Sequence, residues 1–365
     1  MTVMKRIKLF DQSIDQKEFS AVKKTLESHF WASGSSSGNV GIFENSLKKY
    51  LKTKSCVSVN SGTAALHLAL SAFDIKNKEV LLPSLSFVST AHAIIYNGGI
   101  PKFIDINPET MCIDENLLEN KITKKTKMIL PVHFAGIACN MDKIKKICKK
   151  NNLFLIEDAA HAMGTSYNNK KIGTHGDLVC FSFHPTKNLP TPSGGAISIN
   201  SKNYKKLTEK LLSRRWCGIS KRKESTYDIE EIGWNYYMNQ FSAAIGNEQL
   251  KKLDIQTKKR IKIAKRYSEE LIVESKMKYD ENCAYHFYWI CVKNRKNLMK
   301  KLNDNGIETG IHYPPIHKMG FYKKSKVSLP VTELMTKCII SLPCHPNLKE
   351  NEISFIIKNL NQFTK

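Results

Sequence analysis

The sequence predicts an α/β protein, with a large domain on a mostly parallel sheet followed by a smaller C-terminal α/β domain. Three observations carry this expectation. The chain has 365 residues, too many for one small domain. Between residues 56 and 199, short apolar runs alternate with helical patterns, the rhythm of a parallel sheet covered on both faces. After Ser201 that rhythm stops, and long helical patterns lead to a further strand and more helices. The expected division is 1–235 for an N-terminal segment and the large domain, and 236–365 for connecting helices and the small domain.

Taken in order, a helical pattern covers Phe19 to Phe30, a serine-glycine stretch spans Ser33 to Gly38, and a second helix covers Ile42 to Leu51. Strands are expected at Cys56–Val59, Val80–Leu82, Pro101–Ile104, Met128–Val132, Leu153–Ile156, Leu178–Phe181 and Ala196–Ile199. Helices fall between most of them, at Ala64–Phe73, Ser89–Tyr96, Asp114–Lys121 and Met141–Lys150. Two helices follow at Asn239–Leu253 and Lys258–Leu271. A strand at His286–Val292 and helices at Arg295–Asn305 and Glu350–Phe363 complete the chain.

The formal net charge is +24. Its lysines are spread along the chain at helical spacing opposite apolar residues, the look of solvated helix faces rather than a nucleic-acid footprint. Such a field would still draw in a small polyanion. Ten cysteines show no CxxC pair, so no metal site is expected. No run of about 18 apolar residues is present to span a membrane, and Met1–Phe10 lacks a signal-peptide core. A cytoplasmic protein without nucleic-acid or membrane partners is expected.

Four polar segments fall at strand ends, where ligands of open parallel sheets bind. Ser61-Gly62-Thr63 opens a helix and suits a phosphate, although an ordinary N-cap reads the same way. Asp158, leaving a buried strand in Glu157-Asp158-Ala159-Ala160-His161, can face a cation or cap a helix. Lys187 lies in a stiff loop with Pro185, Pro190 and Pro192; it is a candidate nucleophilic amine or a surface lysine. Phe87, in Pro83-Ser84-Leu85-Ser86-Phe87, can stack on a planar ring or join the core. Together a phosphate cradle, an aromatic platform, an acid and an amine are the parts of a pyridoxal 5'-phosphate (PLP) site.

With these segments in hand, the chain resembles the DegT/DnrJ family of sugar aminotransferases, of the aspartate-aminotransferase-like PLP-transferase fold (fold type I). The resemblance runs from about Ile7 to Phe363. It also rests on Ser182-Phe183-His184-Pro185-Thr186-Lys187, Gly233-Trp234-Asn235-Tyr236, Ala243-Ala244-Ile245-Gly246 and Gly310-Ile311-His312-Tyr313-Pro314-Pro315-Ile316-His317. It implies that Lys187 is the Schiff-base lysine and proton shuttle. Asp158 would pair with the pyridine nitrogen, His161 would lie beside the ring, and Phe87 would stack on it. Gly62, Thr63 and Ser182 would hold the phosphate. Asn235 would reach the phosphate of the neighbouring subunit, implying a homodimer with shared sites. His312 and Tyr313 would approach the substrate.

Two positions depart from the family pattern. Ser193 stands where an acidic residue often precedes the Gly-Gly pair, and Tyr237 where an arginine often follows the Asn-Tyr pair. Both bear on recognition of donor or sugar. The resulting expectation is transfer of an amino group from glutamate to a nucleotide-linked keto-sugar, a 4-keto-6-deoxyhexose first and a 3-keto sugar next, in amino-sugar or polysaccharide biosynthesis. A related dehydratase subgroup typically has histidine in place of the lysine, and Lys187 argues against it. A non-catalytic PLP-binding regulator is the remaining alternative.

Overall fold

The computed structural model describes residues 6–223, 225–323 and 327–364. Seven strands form the main sheet, in the spatial order Ser55–Val59, Gly195–Ile199, Leu178–Ser182, Phe154–Asp158, Thr126–Ile129, Glu79–Pro83 and Ile100–Ile104. Gly195–Ile199 runs antiparallel to both neighbours, and the remaining pairings are parallel. Six strands therefore end on one edge, and Gly195–Ile199 begins there. Leu178–Ser182 and Gly195–Ile199 are buried along their whole length, which is why they read as unbroken apolar runs.

Helices cover both faces. In Met141–Asn151, Ile144, Ile147 and Cys148 are buried, while Lys145, Lys146, Lys149 and Lys150 are exposed. The Asn140 side chain accepts from Lys143 N–H at 3.2 Å to start the helix, and Asn152, at φ 52°, ends it in the left-handed region asparagine tolerates. The smaller sheet pairs Ser275–Lys276, Tyr288–Cys291 and Ile339–Leu342 antiparallel. Its Trp289 and Ile340 share one core with Ile104, Ile129 and Leu155 of the main sheet. The N-terminal segment joins it too, since Ile7 N–H donates to Gly306 O at 2.8 Å.

Three expectations change. The two helices at 239–253 and 258–271 are one helix, Gln240–Glu270. Its buried stripe runs unbroken through Gln249, Leu253, Gln256, Thr257, Arg260, Ile263, Ala264 and Tyr267, so the polar midsection conceals a continuous helical phase. The helix at 114–121 shrinks to Leu118–Lys121, because the Asp114 carboxylate accepts from Asn116 N–H at 2.9 Å and closes a turn instead. The first helix spans Gln16–Glu27 and buries Glu18 and Thr25, leaving Phe19 and Leu26 exposed. Glu18 is held by Gln249 Nε2 at 2.8 Å. A hairpin of Ile219–Lys223 and Thr226–Ile229 was not expected. Among the described residues no helix is long and apolar enough to cross a membrane.

Candidate active site

The strand ends converge on a cleft of about 340 Å³, within the ~300–1,000 Å³ range of small-molecule sites. Gly62, Thr63, Phe87, Asp158, His161, Ser182, Lys187 and Tyr313 all line it. At one end, Ser61 caps the helix Gly62–Ser71 by accepting from Ala64 N–H at 3.1 Å. The first-turn N–H groups and the positive helix end therefore face the cleft. Gly62 packs against Ser182 so closely that an added Cβ would lie 2.7 Å from the serine Cβ. Only glycine leaves room there.

Asp158 terminates its strand buried, with Oδ2 accepting from Thr90 Oγ1 at 2.7 Å and Oδ1 from Ala160 N–H at 3.1 Å. Burial raises its pKa, against these hydrogen bonds and the nearby Lys187. A carboxylate desolvated in this way is poised to meet a cation. Lys187 shows the opposite effect: burial lowers its pKa to about 8, while Asp158 pulls the other way. Phe87 is 56% exposed, so its ring forms part of the cleft wall and is not a core residue.

A third wall is aromatic, built from His161 after the strand Phe154–Asp158, from the loop at His312 and Tyr313, and from the residues just before the strand Tyr288–Cys291. His161 Nδ1 accepts from Ala135 N–H at 3.3 Å. The proton of the neutral ring therefore sits on Nε2, which donates to the Tyr313 hydroxyl at 3.0 Å. Burial holds His161 well below the usual histidine range and raises Tyr313. His312 bonds Ser341 Oγ through Nδ1 at 2.8 Å and stacks on Phe287 at 4.6 Å; burial pushes its pKa to about 4. Sequence reasoning missed His286, Phe10 and Thr90. Thr90 carried a usable signal, as a hydroxyl one turn after the Ser86-Phe87 wall. His286 and Phe10 carried none, being single residues remote in sequence from every other wall.

Asn235 is not brought into this chain's cleft. It is exposed, and its carbonyl accepts from Asn60 Nδ2 at 3.3 Å. Ser193 lines the cleft and donates to Asn60 O. Arg214 and Arg215, the arginines that could stand in for the one missing at Tyr237, are engaged. Arg214 pairs with Glu231 at 2.6 Å, and buried Arg215 pairs with Glu44 at 2.6 Å while donating to Gly34 O at 2.9 Å. The serine-rich loop is therefore pinned, and neither guanidinium is offered to a small carboxylate.

A phosphate-accepting helix start, a buried acid, a low-pKa amine and an exposed aromatic face fit PLP, the acid suiting the ring nitrogen and the amine the aldehyde. Fold and site thus define a PLP-dependent aminotransferase. The chain belongs to the DegT/DnrJ/EryC1/StrS aminotransferase family, whose model matches residues 12–361. It is 35% identical to a UDP-4-amino-4,6-dideoxy-N-acetyl-beta-L-altrosamine transaminase of Campylobacter jejuni, covering 94% of each chain. It is 33% identical to the GDP-perosamine synthase of Escherichia coli O157:H7, covering 99% of each. The crystal structure of NtdA from Bacillus subtilis with bound cofactor PMP superposes with a TM-score of 0.87 at 29% identity, covering 95% of this chain and 81% of that one. The protein is a PLP-dependent sugar aminotransferase.

Proposed function

We propose that the enzyme moves the amino group of glutamate to a nucleotide-linked 4-keto-6-deoxyhexose, with Lys187 as the proton carrier. The observation that carries this reading is the half-buried Lys187 amine, at a pKa of about 8 in a cleft shared with Asp158 and Phe87. Near neutral pH such an amine exists in both protonation states, as acid–base catalysis requires. Bound in the cleft, PLP supplies an aldehyde for amine exchange and a ring that takes up the electrons released when a C–H bond breaks. Gly62, Thr63 and Ser182 hold its phosphate, and Phe87 covers a ring face. Asp158 sets a negative charge opposite the ring nitrogen, and His161 lies at the ring edge. Lys187 would move a proton from the donor's α-carbon to the cofactor's aldehyde-derived carbon, and in the second half from that carbon to the sugar carbon that receives the amine. His312 and Tyr313 close the substrate side.

The sugar part of the reading is supported by the C. jejuni relative, a transaminase named for a 4-amino-4,6-dideoxy sugar. Amination of a 4-keto-6-deoxy precursor yields that pattern. The engaged state of Arg214 and Arg215 argues against a site built for a small dicarboxylate alone, and the +24 charge favours a diphosphate-bearing substrate. Asn235 serves the partner's site in a homodimer. Its exposure supports this, as do the exposed Phe19, Leu26, Phe30, Trp31 and Ile42. The enzyme works in the cytoplasm.

The test is incubation of enzyme, PLP and glutamate with 4-keto and 3-keto sugar nucleotides, followed by mass spectrometry. The reading expects 2-oxoglutarate together with a 4-amino-sugar nucleotide. Amination of ordinary 2-oxo acids only would overturn the sugar assignment, and amination of the 3-keto panel only would move the reacting carbon.

A further inference from the structure

We infer that His286 is a positioning residue for Lys187: its imidazole receives the lysine's free amine and holds it at the cleft whenever that amine is not bonded to the cofactor. The inference rests on the reading of Lys187 given above. His286 Nε2 lies 3.4 Å from Lys187 Nζ. The ring is clamped on two sides, stacked with Phe10 at 5.0 Å and 16° and packed against His161 at 4.6 Å and 38°. Its backbone N–H donates to Ala135 O at 2.9 Å, so ring and main chain are both fixed. His286 is 2% exposed, and its Nδ1 has no hydrogen-bond partner among the described residues. A histidine serving only to pack would leave both nitrogens unpaired at greater penalty. Here the one nitrogen with a partner meets the amine.

The charged and titratable groups around the pair fix the direction of the effect. Asp158 attracts the lysine charge from the main sheet. Burial first, and the charge of Lys187 second, hold His161, His184 and His312 toward the neutral form. Tyr313 is buried toward Asp158 and stays a neutral phenol. Burial, then the charge of Lys187, hold His286 well below the usual histidine range; Arg260 behind it, which donates to Tyr285 O at 3.3 Å, adds least. A neutral Nε2 lone pair then accepts from the Lys187 ammonium. That charge-assisted bond favours the protonated lysine and opposes the loss of charge that burial drives. His286 thus keeps the lysine titrating near neutrality and stops it from drifting lower.

The experiment reads the apo-protein, full length, by competitive trace acetylation across a pH series with peptide mass spectrometry. Wild-type Lys187 should label with a midpoint near 8. His286→Phe keeps the ring and removes the acceptor, so the midpoint should fall by about one pH unit, the size of a hydrogen bond to a charged group. His286→Gln restores an acceptor and should return most of that shift. A folded His286→Phe protein with the wild-type midpoint overturns the inference. Should that variant fail to fold, side-chain nitrogen NMR of the wild type decides. The His286 signal should move with the Lys187 midpoint and become pH-invariant in Lys187→Met, and a signal indifferent to Lys187→Met overturns the proposal. Protection of Lys187 from acetylation by added PLP tests the underlying reading separately. Its absence would sink that reading while the midpoints still report on His286.

Discussion

Replacing Lys187 with methionine should make the cofactor-free protein more stable at neutral pH. The lysine's pKa falls from 10.5 to about 8 through burial. At about 1.4 kcal/mol per unit this amounts to roughly 3 kcal/mol, and solvent access to the half-buried side chain trims it to about 2 kcal/mol. The folded pKa lies below the unfolded one, so the folded state binds the proton less well than the unfolded chain. The penalty is therefore complete below about pH 8 and disappears as pH rises through 10.5. Methionine matches the length and apolar stem without the charge. Urea unfolding of the two apo-proteins at pH 7 should place Lys187→Met about 2 kcal/mol above wild type, with the gap closing toward pH 10.5. A variant no more stable at pH 7, or a gap that ignores pH, would refute the claim that this amine is held desolvated for chemistry.

Gly62→Ala sets a methyl 2.7 Å from Ser182 Cβ; PLP affinity should fall about tenfold or more, a change of ~1.4 kcal/mol, in a spectrophotometric titration. Asp158→Asn keeps the shape but removes the buried charge. Turnover should drop about a hundredfold, in line with removal of a preorganised electrostatic group, while apo-protein stability stays level or rises; stopped-flow with glutamate reads the first and urea unfolding the second. Mixed dimers of Lys187→Ala and Asn235→Ala subunits should regain activity by restoring one intact site; confirmed subunit exchange without recovery would place Asn235's action within its own chain.

The main sheet was legible because buried parallel strands are apolar throughout, and each of the seven expected runs overlaps a strand. Lys187, Asp158, Phe87 and Gly62 were legible because they sit at the ends of those strands, where topology gathers them. What escaped reading depended on contacts far apart in sequence. The polar midsection of Gln240–Glu270 looked like a break because Gln256, Thr257 and Arg260 are buried polar residues, with Arg260 bonded to Tyr285 O. The first helix buries Glu18 and Thr25 and leaves Phe19 out, because Gln249 Nε2 donates to the Glu18 carboxylate, a pairing across 231 residues. His286 looked like the start of a strand, and only the fold sets it against Lys187, 99 residues away.

The most direct test of the central claim is borohydride reduction of the purified, PLP-loaded protein, followed by digestion and peptide mass spectrometry. Reduction should remove the yellow colour and leave a phosphopyridoxyl group fixed on Lys187 alone, absent from Lys187→Ala. Fixation on any other of the chain's many lysines, or no fixation at all, would contradict the claim.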